Sequence, residues 1–538
     1  MSALSSGAEG NAPTPGADAN PLTPVRADVD VLVVGGGPTG LLAACELLRR
    51  GVRVRIVDRA EEPMTVPKAL SLWPRAMDIL EDLGIGEELR RSSNRINAFS
   101  YFSDGRPLAT FGFAEDLASR TLPQPVTEGL LTARLHELGG KVERGVRLLC
   151  LDGVDFSGRI DATDGVTALL EHPDGTLERT HVPWVVGADG AGSSVRGQLG
   201  IGFQGSTYEM AFALIDTRIE GELPTDQVLY YQAPSGTLVI VPMPDGVFRF
   251  LSVMPKAGGE VTVAMMQRIL DERGPHGVRI TEPVWQTVFR VHARHATDFQ
   301  RGRVFLMGDA AHVHSPAGGQ GMNNGLQDAH NLAWKLAAVV HGTSPAELLL
   351  SYGPERAEAT RRIVRDTDLQ TRAWMAGSRL KVLARDAAFR LLDRTGLVSR
   401  LYAPVMAGRR LAYRPERESQ VPSGRRGCGP RALKPGAVFP RPLAVSYGIV
   451  GPEVDPNAWT LAVTGPDVLA AAEQFADGHP RLRVVRLRTE RAAPSTGCRR
   501  AGYHLIRPDG HVAAHGHARD LDRLRAELAV AFTPVAPD

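Results

Sequence analysis

A glycine-rich turn between two apolar strands is the stretch of this sequence that points most directly to chemistry. It carries Gly35, Gly37 and Gly40, and an acid, Asp58, follows a helix and a second strand about 20 residues later. Such glycines allow a tight turn, close approach to a pyrophosphate and close helix packing, while the acid can accept hydrogen bonds from a ribose. The alternative is a glycine-rich surface turn, which the strand, helix, second strand and acid together disfavour. The pattern therefore predicts a βαβ dinucleotide site and leaves open whether the dinucleotide is NAD or FAD.

A second apolar strand also ends at an acid. Residues 184–187 read Trp-Val-Val-Gly, and Ala-Asp-Gly at 188–190 leads into a helix start rich in serine. Asp189 and Gly190 could belong to a nucleotide site. They could equally form an ordinary strand–turn–helix junction in which a side chain caps the helix. Both interpretations stay open on the sequence.

A third strand delivers Asp309 and then enters a glycine loop at 318–321, which feeds a long amphipathic helix. Unpaired N–H groups at the start of a helix attract negative charge. Those near Met322 and Asn323 could stabilise a cofactor ring that becomes anionic on reduction. This stretch therefore supplies candidates for the far end of a cofactor.

Histidine and cysteine positions give no metal pattern. His312 and His314 lie two residues apart beside glycines with no third ligand nearby, so we expect no metal there. The cysteines are far apart and contain no C-x-x-C pair, which excludes a zinc ribbon and a dithiol redox motif and suggests a reducing compartment. They are Cys45, Cys150, Cys428 and Cys498.

The composition is that of an ordinary soluble protein. The chain has 538 residues, 43% of them hydrophobic and 23% charged, with a net charge of +2, so nothing argues for nucleic acid or an anionic membrane as a partner. No apolar run reaches the roughly 18 residues that a membrane span needs. Residues 1–27 lack the basic and apolar regions of a signal peptide and read as a disordered tail. We therefore expect a cytoplasmic protein.

Taken in order, the three stretches resemble the signatures of the group A FAD-dependent aromatic hydroxylases, including phenol, chlorophenol and aromatic polyketide hydroxylases. The resemblance covers about residues 28–410 strongly and the remainder more weakly. It implies an α/β fold with a Rossmann-type FAD-binding domain, an inserted antiparallel-sheet substrate domain and a C-terminal thioredoxin-like domain without redox cysteines. The expected divisions are a tail (1–27), the FAD-binding domain in two parts (28–207 and 298–422, the second with a helical segment), the substrate sheet (208–297) and the thioredoxin-like domain (423–538).

The resemblance also implies which residues hold FAD. Those at Asp58, Gln124 and Asp309 contact ribose or phosphates in the family, and Met322 with Asn323 lies beside the flavin ring. Lys68 stands where many members have arginine, which keeps the cation but loses the bidentate geometry. The predicted cofactor residues are Gly35, Gly37, Pro38, Thr39, Gly40, Asp58, Arg59, Lys68, Gln124, Asp189, Gly190, Asp309, Gly321, Met322 and Asn323.

The implied reaction uses NADH or NADPH to reduce FAD, and O2 to form a flavin C4a-hydroperoxide that hydroxylates an electron-rich aromatic small molecule. Pro316 corresponds to the loop that faces the oxygen-reacting edge of the flavin. Tyr230, Tyr231 and Arg249 lie on the expected substrate sheet and could act on a phenol, against the alternative of ordinary sheet packing. We predict Pro316, Tyr231 and Arg249 as catalytic residues, and the family resemblance suggests a homodimer.

Four other functions are possible for a chain with these signatures. A flavin halogenase needs a W-x-W-x-I-P stretch and a disulfide reductase needs paired cysteines, and the chain has neither. Baeyer–Villiger or ring-opening oxygenation on the same scaffold stays open. So does a flavin-binding protein that has lost turnover and acts as an assembly partner.

Overall fold

The computed structural model describes residues 25–26, 28–254, 260–315, 317–374, 379–413, 432–520, 522, 524–526 and 528. Of the predicted tail before residue 28, only Val25 and Arg26 are described, as a short strand. The predicted catalytic residue Pro316 lies outside the described residues, as does Cys428.

The strands are β1 (Val25–Arg26), β2 (Val31–Val34), β3 (Val54–Asp58), β4 (Ser71–Leu72), β5 (Asn94–Ile96), β6 (Ala98–Ser103), β7 (Arg106–Gly112), β8 (Ser119–Thr121), β9 (Val142–Arg144), β10 (Arg147–Asp152), β11 (Val166–Glu171), β12 (Leu177–Val182), β13 (Trp184–Gly187), β14 (Phe203–Glu220), β15 (Gln227–Ala233), β16 (Gly236–Pro242), β17 (Phe248–Val253), β18 (Arg279–Ala296), β19 (Gln300–Arg301), β20 (Val304–Leu306), β21 (His312–Val313), β22 (Trp459–Thr464), β23 (Leu482–Arg486), β24 (Gly502–Ile506) and β25 (Val512–His517). The α-helices are α1 (Pro38–Leu48), α2 (Pro74–Asp82), α3 (Gly86–Arg91), α4 (Gln124–Glu137), α5 (Ser194–Gln198), α6 (Val263–Arg273), α7 (Gly321–Val340), α8 (Tyr352–Trp374), α9 (Arg379–Thr395), α10 (Ala403–Met406), α11 (Arg441–Ser446), α12 (Pro466–Ala476) and α13 (Thr489–Thr496).

A six-stranded sheet forms the nucleotide-binding part of the fold. Its order is β19-β20-β13-β2-β3-β9, and all neighbours run parallel except β19 and β20. A continuous apolar core joins this sheet to helices α1, α2, α4 and α7. Because parallel strands share one carboxyl edge, the turns after β2, β13 and β20 are brought side by side.

An eight-stranded sheet, in the order β21-β18-β14-β17-β16-β15-β6-β7, forms the second layer. Its neighbouring strands are antiparallel except for the parallel pair β15 and β6. The expected inserted antiparallel sheet is therefore present. Strands β6, β7 and β21 come from outside the segment 208–297, because the alternation of apolar residues marks a strand without saying which sheet it joins.

The C-terminal unit is a four-stranded sheet in the order β23-β22-β24-β25. Strands β22 and β23 are parallel, and the other neighbours are antiparallel. Its thioredoxin-like character stays a prediction.

A buried charge cluster joins the C-terminal unit to α7 and α8. Arg507 contacts Glu355 at 2.6 Å, and Lys335 contacts Glu355 at 2.9 Å. Although burial opposes it, these cations lower the pKa of Glu355 to about 2. Removing one partner would leave a buried charge uncompensated, so the cluster fixes how the unit is docked.

Across the described residues, no helix combines the length and the apolar composition of a membrane span.

Candidate cofactor and substrate site

The three sequence stretches meet through their backbones at the carboxyl edge of the six-stranded sheet. The N–H of Ala188 donates to the carbonyl of Val34 at 2.8 Å, and the N–H of Met307 donates to the carbonyl of Gly187 at 3.0 Å. Gly35 has φ +115°, and a Cβ there would lie 2.3 Å from the Ala188 oxygen. Only glycine fits that position, which lets the first turn touch the second.

The first turn leaves an open cradle at the start of α1. A Cβ added to Gly37 would meet no described atom within 4 Å, whereas one on Gly40 would lie 1.9 Å from the Gly35 oxygen. Helix α1 begins at Pro38 with no side-chain cap. Proline suits this first helical position, and the uncapped N–H groups remain available to an anion. The cradle therefore fits a pyrophosphate.

Thr39, in the first turn of α1, lies beside α7 and the turn that follows β20. A Cβ on Gly325 would lie 2.3 Å from Thr39 Oγ1, and one on Gly308 would lie 2.7 Å from it. Because these two positions lack a side chain, Thr39 can pack against both α7 and the turn after β20. Contact of Thr39 with a cofactor stays a prediction.

Asp58 is oriented by the glycine turn. Its Oδ2 accepts from the Gly36 N–H at 2.5 Å and lies 3.6 Å from Arg144, while Oδ1 accepts from the Ala60 N–H at 2.8 Å. A carboxylate accepts about four hydrogen bonds, so capacity is left for ribose hydroxyls. Arg59 is exposed, and no hydrogen bond or ion pair among the described residues uses its side chain.

Asp189 caps helix α5. Its carboxylate accepts from the Ser193 hydroxyl at 2.5 Å and from the N–H groups of Ser194 and Val195 at 2.7 and 3.2 Å. These contacts match the junction interpretation of this stretch. Gly190 follows with φ +83° and open space around it. The predicted cofactor roles of Asp189 and Gly190 remain predictions.

Asp309 presents an acid to open space after β20. Its side chain is exposed, and no hydrogen bond or ion pair of the described residues uses its carboxylate. Desolvation by nearby protein raises the pKa of Asp309, and His312 and Lys68 act in the opposite direction. Lys68 is exposed as well. An acid and a cation facing open space suit the hydroxyls and phosphates of a dinucleotide.

Arg196, which the sequence analysis did not select, links the second and third stretches. Its guanidinium donates to the carbonyls of Ala310 at 2.9 Å and Ala191 at 2.8 Å. An arginine four residues after a glycine turn gives no signal by itself, because its partner lies 114 residues away.

Gln124 holds the segment that carries Lys68. Its Oε1 accepts from the Ala69 N–H at 3.1 Å, and its Nε2 donates to Glu128 at 2.9 Å. The backbone N–H of Gln124 also donates to the Ala69 carbonyl at 3.0 Å. The side chain therefore positions a neighbouring backbone, and its direct contact with FAD stays a prediction.

Arg249 supports the same segment from the eight-stranded sheet. It forms a two-pronged pair with Asp216, both contacts at 2.8 Å, and the two side chains are 7% and 0% exposed. It also donates to the carbonyls of Lys68 at 2.9 Å and Pro67. Its donors are committed to the protein, which favours a positioning role over the predicted catalytic one.

The start of α7 offers unused N–H groups. The Asn324 N–H donates to the Gln320 carbonyl at 2.9 Å and is the first of the helix to do so. No hydrogen bond among the described residues uses the backbone N–H of Gly321, Met322 or Asn323. These donors, at the positive end of a 20-residue helix, suit an anionic ring edge.

The Asn323 side chain fixes the loop before α7. Its Oδ1 accepts from the Trp73 N–H at 2.7 Å, and its Nδ2 donates to the carbonyls of Ser71 and Gly319 at 2.8 Å each. The Trp73 indole donates to the Gly318 carbonyl at 2.7 Å. Strand β4 and the glycine loop are thus tied to one helix start.

His312 and His314 have different surroundings. His312 is buried, and its Nε2 lies 2.6 Å from Asp328, which Arg356 also contacts at 2.6 Å. His314 has Nδ1 3.0 Å from the Ser315 carbonyl, and its Nε2 is buried without a hydrogen-bond partner among the described residues. Burial lowers the pKa of His314 to about 4, so the ring is neutral at pH 7.

Tyr230 and Tyr231 lie on opposite faces of the eight-stranded sheet. Tyr230 stacks on Tyr101 at 4.7 Å in a cluster that includes Trp73. Tyr231 stacks on Phe102 at 4.4 Å within the core formed with α6, where burial raises its pKa to about 12. Among the described residues, Trp73 and Met406 connect the Tyr230 face to the glycine loop, so the position of Tyr231 favours the packing alternative.

Two side chains beside the glycine loop were missed on the sequence. A Cβ on Gly318 would lie 3.2 Å from Met406 Cε and 3.5 Å from Gln370 Oε1. Gln370 donates to the hydroxyl of Tyr402, whose pKa burial raises to about 12. These residues come from helical segments without a motif, so no sequence signal identified them.

Comparison with known proteins agrees with this geometry. The family model described as "FAD binding domain" matches residues 28–367. The 6-methylpretetramide 4-monooxygenase of Streptomyces rimosus is 33% identical over 535 residues, which cover 93% of this chain and 92% of that protein. The pentachlorophenol 4-monooxygenase of Sphingobium chlorophenolicum is 36% identical over 354 residues, 63% of this chain and 64% of that protein. The structure of aklavinone-11 hydroxylase with FAD and aklavinone is 27% identical, with a TM-score of 0.73, over 94% of this chain and 99% of that one.

Proposed function

Because this chain belongs to the FAD binding domain family and is an FAD-dependent aromatic monooxygenase, we propose that it hydroxylates a phenolic or polyketide-type aromatic compound with O2 and NADH or NADPH. The observation that carries the proposal is the convergence of the open Gly37 cradle, the unpaired Asp309 carboxylate and the uncapped start of α7. No one of these would identify a flavin site alone.

We propose that different residues of the site hold different parts of FAD. The Gly37 cradle would hold the pyrophosphate, Asp58 the ribose of the adenosine half, and Asp309 with Lys68 the central hydroxyls and phosphates. The N–H groups of Met322 and Asn323 would stabilise negative charge at the ring. When bound, FAD supplies hydride acceptance from the nicotinamide and activation of O2.

The aromatic face of the eight-stranded sheet is the proposed substrate wall. Tyr230, Tyr101 and Trp73 are buried in the cluster on this face and would form the apolar backing of the wall. Tyr402 stays protonated near pH 7 because burial raises its pKa to about 12. Its hydroxyl can therefore donate to a phenolate or carbonyl oxygen of the substrate. The buried aromatic side chains also exclude water, which protects a reactive oxygen species from decay.

The direct experiment measures NADH and NADPH oxidation by the flavin-loaded protein across a panel of phenols and polyketide aromatics. A product heavier by one oxygen atom with intact rings supports the proposal. Ring expansion or opening supports the Baeyer–Villiger alternative instead. No stimulation by any compound favours the assembly-partner alternative, and a purified protein unable to bind FAD contradicts the site altogether.

Gly37→Ala tests the cradle itself. The added methyl meets no described atom and the residue keeps φ −78°, so the apoprotein should fold normally. We expect FAD affinity to fall at least about tenfold, or about 1.4 kcal/mol, because the methyl occupies the approach to the pyrophosphate. Gly129→Ala on α4 is the matched control, since a Cβ there also meets nothing within 4 Å. Equal FAD affinity in both variants would show that the cradle does not hold the cofactor.

We also propose that the enzyme works in the cytoplasm and assembles as a homodimer. Family resemblance supports the dimer, and light scattering on the flavin-loaded protein would measure it. The dispersed cysteines support the cytoplasmic proposal because they suggest a reducing compartment. Cys498 nevertheless takes part in a disulfide bond in this structure, which a reducing compartment would disfavour.

A further inference from the structure

Three histidines are buried on one face of the C-terminal sheet, away from the motifs that gave the flavin site. His504 on β24 pairs directly with His515 on β25, and His517 follows on the same face. Their exposed fractions are 6%, 6% and 5%. The rings of His504 and His515 stack at 4.5 Å, and those of His515 and His517 lie 5.6 Å apart. Polar rings are seldom buried together without a function for their nitrogens.

Cys498 joins these histidines from the loop between α13 and β24. Its sulfur and one ring nitrogen each of His515 and His517 all lie within 4.8 Å of one another, and all three residues are buried. Next to them, Nε2 of His504 is buried with no hydrogen-bond partner among the described residues. That unpaired atom is an independent sign that this face is built to hold something polar.

We propose that Cys498, His515 and His517 bind Zn²⁺, or a divalent metal of similar softness, when Cys498 is a thiolate. Thiolate sulfur and imidazole nitrogen are the donors that zinc prefers, with bonds of about 2.3 Å and 2.0 Å. The donors of a tetrahedral ion with such bonds lie about 3.4 Å apart. Side-chain movements of little more than an ångström would therefore bring these three donor atoms, now within 4.8 Å of one another, to that spacing. Three protein ligands leave the fourth position to another donor.

The chemistry requires that the disulfide of Cys498 first be opened. A thiol or phosphine reductant supplies two electrons, converts the disulfide to two thiols and is itself oxidised. The metal then takes the place of the proton on the Cys498 sulfur, and that proton is released to solvent. Disulfide and metal are thus alternative cross-links at one place, selected by the redox state.

The site would join a loop and a strand of the C-terminal unit that lie 17 to 19 residues apart in the sequence. Cys498 lies near the start of the loop between α13 and β24, whereas His515 and His517 lie on the edge strand β25. Since a structural metal adds its binding free energy to folding, the metal would stabilise this unit. This role is independent of the flavin chemistry.

The test uses the full-length, tag-free, FAD-loaded protein. It is reduced with a phosphine, incubated with ZnCl2, passed over a desalting column and analysed for zinc by mass spectrometry. We expect about one zinc per chain, and X-ray absorption should show a sulfur neighbour near 2.3 Å besides imidazole nitrogens. Without reduction, zinc retention should fall at least tenfold.

Variants assign the ligands. Cys498→Ser, His515→Gln and His517→Gln should each weaken zinc binding at least tenfold, whereas Cys150→Ser, which removes a free cysteine elsewhere, should not. If a ligand variant fails to fold, the absorption spectrum of the wild-type protein still decides. Less than one zinc per ten reduced chains, zinc without a sulfur neighbour, or unchanged binding in the folded ligand variants would overturn the proposal.

Discussion

The two faces of the eight-stranded sheet differ in what covers them, and adjacent residues show the difference. Tyr231 faces α6, a helix from the same stretch of chain, in a core that also contains Phe250 and Leu238. Tyr230 faces Trp73 and Met406, which are more than 150 residues away in each direction. The face covered by local sequence is a packing core. The face covered by distant segments borders the cofactor loops, and it is the face on which we propose that the substrate binds.

The largest effect should come from the buried pair that connects this sheet to the Lys68 segment. Arg249→Met leaves Asp216 buried and unpaired and frees the carbonyls of Lys68 and Pro67. We expect a loss of stability of about 3–5 kcal/mol and a large fall in FAD retention. Thermal unfolding and flavin release measure the two effects.

Arg279→Met is the matched control for that variant. Arg279 pairs with Glu220 at 2.6 Å on the same sheet, but the side chains are 69% and 61% exposed. Such a pair contributes about 0–1 kcal/mol. If both variants lost the same stability, burial of the Arg249 pair would not be what makes it important.

Substituting the two tyrosines tests whether the two faces of the eight-stranded sheet have different roles. Tyr231→Leu removes an aromatic ring from the α6 core and should cost about 2–4 kcal/mol of stability, with little change in KM for the aromatic substrate. Tyr230→Leu removes a ring of similar burial from the other face, and should raise KM or lower the yield of hydroxylated product per NAD(P)H consumed at least about threefold. Steady-state kinetics with product counting separates these outcomes. A kinetic defect confined to Tyr231→Leu would reverse our assignment of the faces.

How much the sequence could predict depends on how close together in the sequence the interacting residues lie. The turn at Gly35 and the acid at Asp58 belong to one contiguous unit, so their geometry was foreseeable, and the α/β fold class with its FAD-binding domain is confirmed. Arg249 was predicted as catalytic from its place on the expected substrate sheet. Its partners Asp216 and Pro67 lie 33 and 182 residues away, and only the folded structure shows that they occupy its guanidinium. Tyr231 was predicted as catalytic and Tyr230 was not, but alternation only places the two on opposite faces and does not show what covers each face. The cluster of Cys498 with His515 and His517 combines a loop with a strand and likewise leaves no compact motif.

Lowering the pH should reduce the stability of the folded protein through His314. Burial lowers its pKa from 6.5 to about 4 in the folded protein, so between these values the unfolded chain binds a proton that the folded one does not. Stability therefore falls as pH decreases through this window, by up to about 1.4 kcal/mol per pH unit for this residue. The charged ring would also lie near the positive end of α7, where the helix dipole disfavours a second positive charge.

Comparing unfolding of wild type and His314→Gln between pH 7 and 4 isolates this contribution from that of other buried histidines. The free energy of unfolding should fall less steeply with decreasing pH in the variant, by the slope that about one bound proton contributes. Parallel curves for the two proteins would mean that His314 takes up its proton in the folded state as readily as in the unfolded one.

The smallest effect tests a single hydrogen bond at the border between the sheet face and the glycine loop. Trp73→Phe removes the indole N–H that donates to the Gly318 carbonyl at 2.7 Å. Trp334→Phe is the matched control, because Trp334 is also 2% exposed, and its indole nitrogen has no hydrogen-bond partner among the described residues. Both changes remove similar ring area, but Trp334 also loses indole contacts with Arg507 and Lys335. The difference between the variants is therefore a lower bound on the hydrogen bond, which we expect to contribute about 0.5–1.5 kcal/mol. Only Trp73→Phe should also reduce the fraction of NAD(P)H that yields hydroxylated product, since the freed loop lies where the aromatic face adjoins the start of α7. An equal loss of that fraction in both variants would mean that general destabilisation, and not the hydrogen bond to the Gly318 loop, lowers the yield of product.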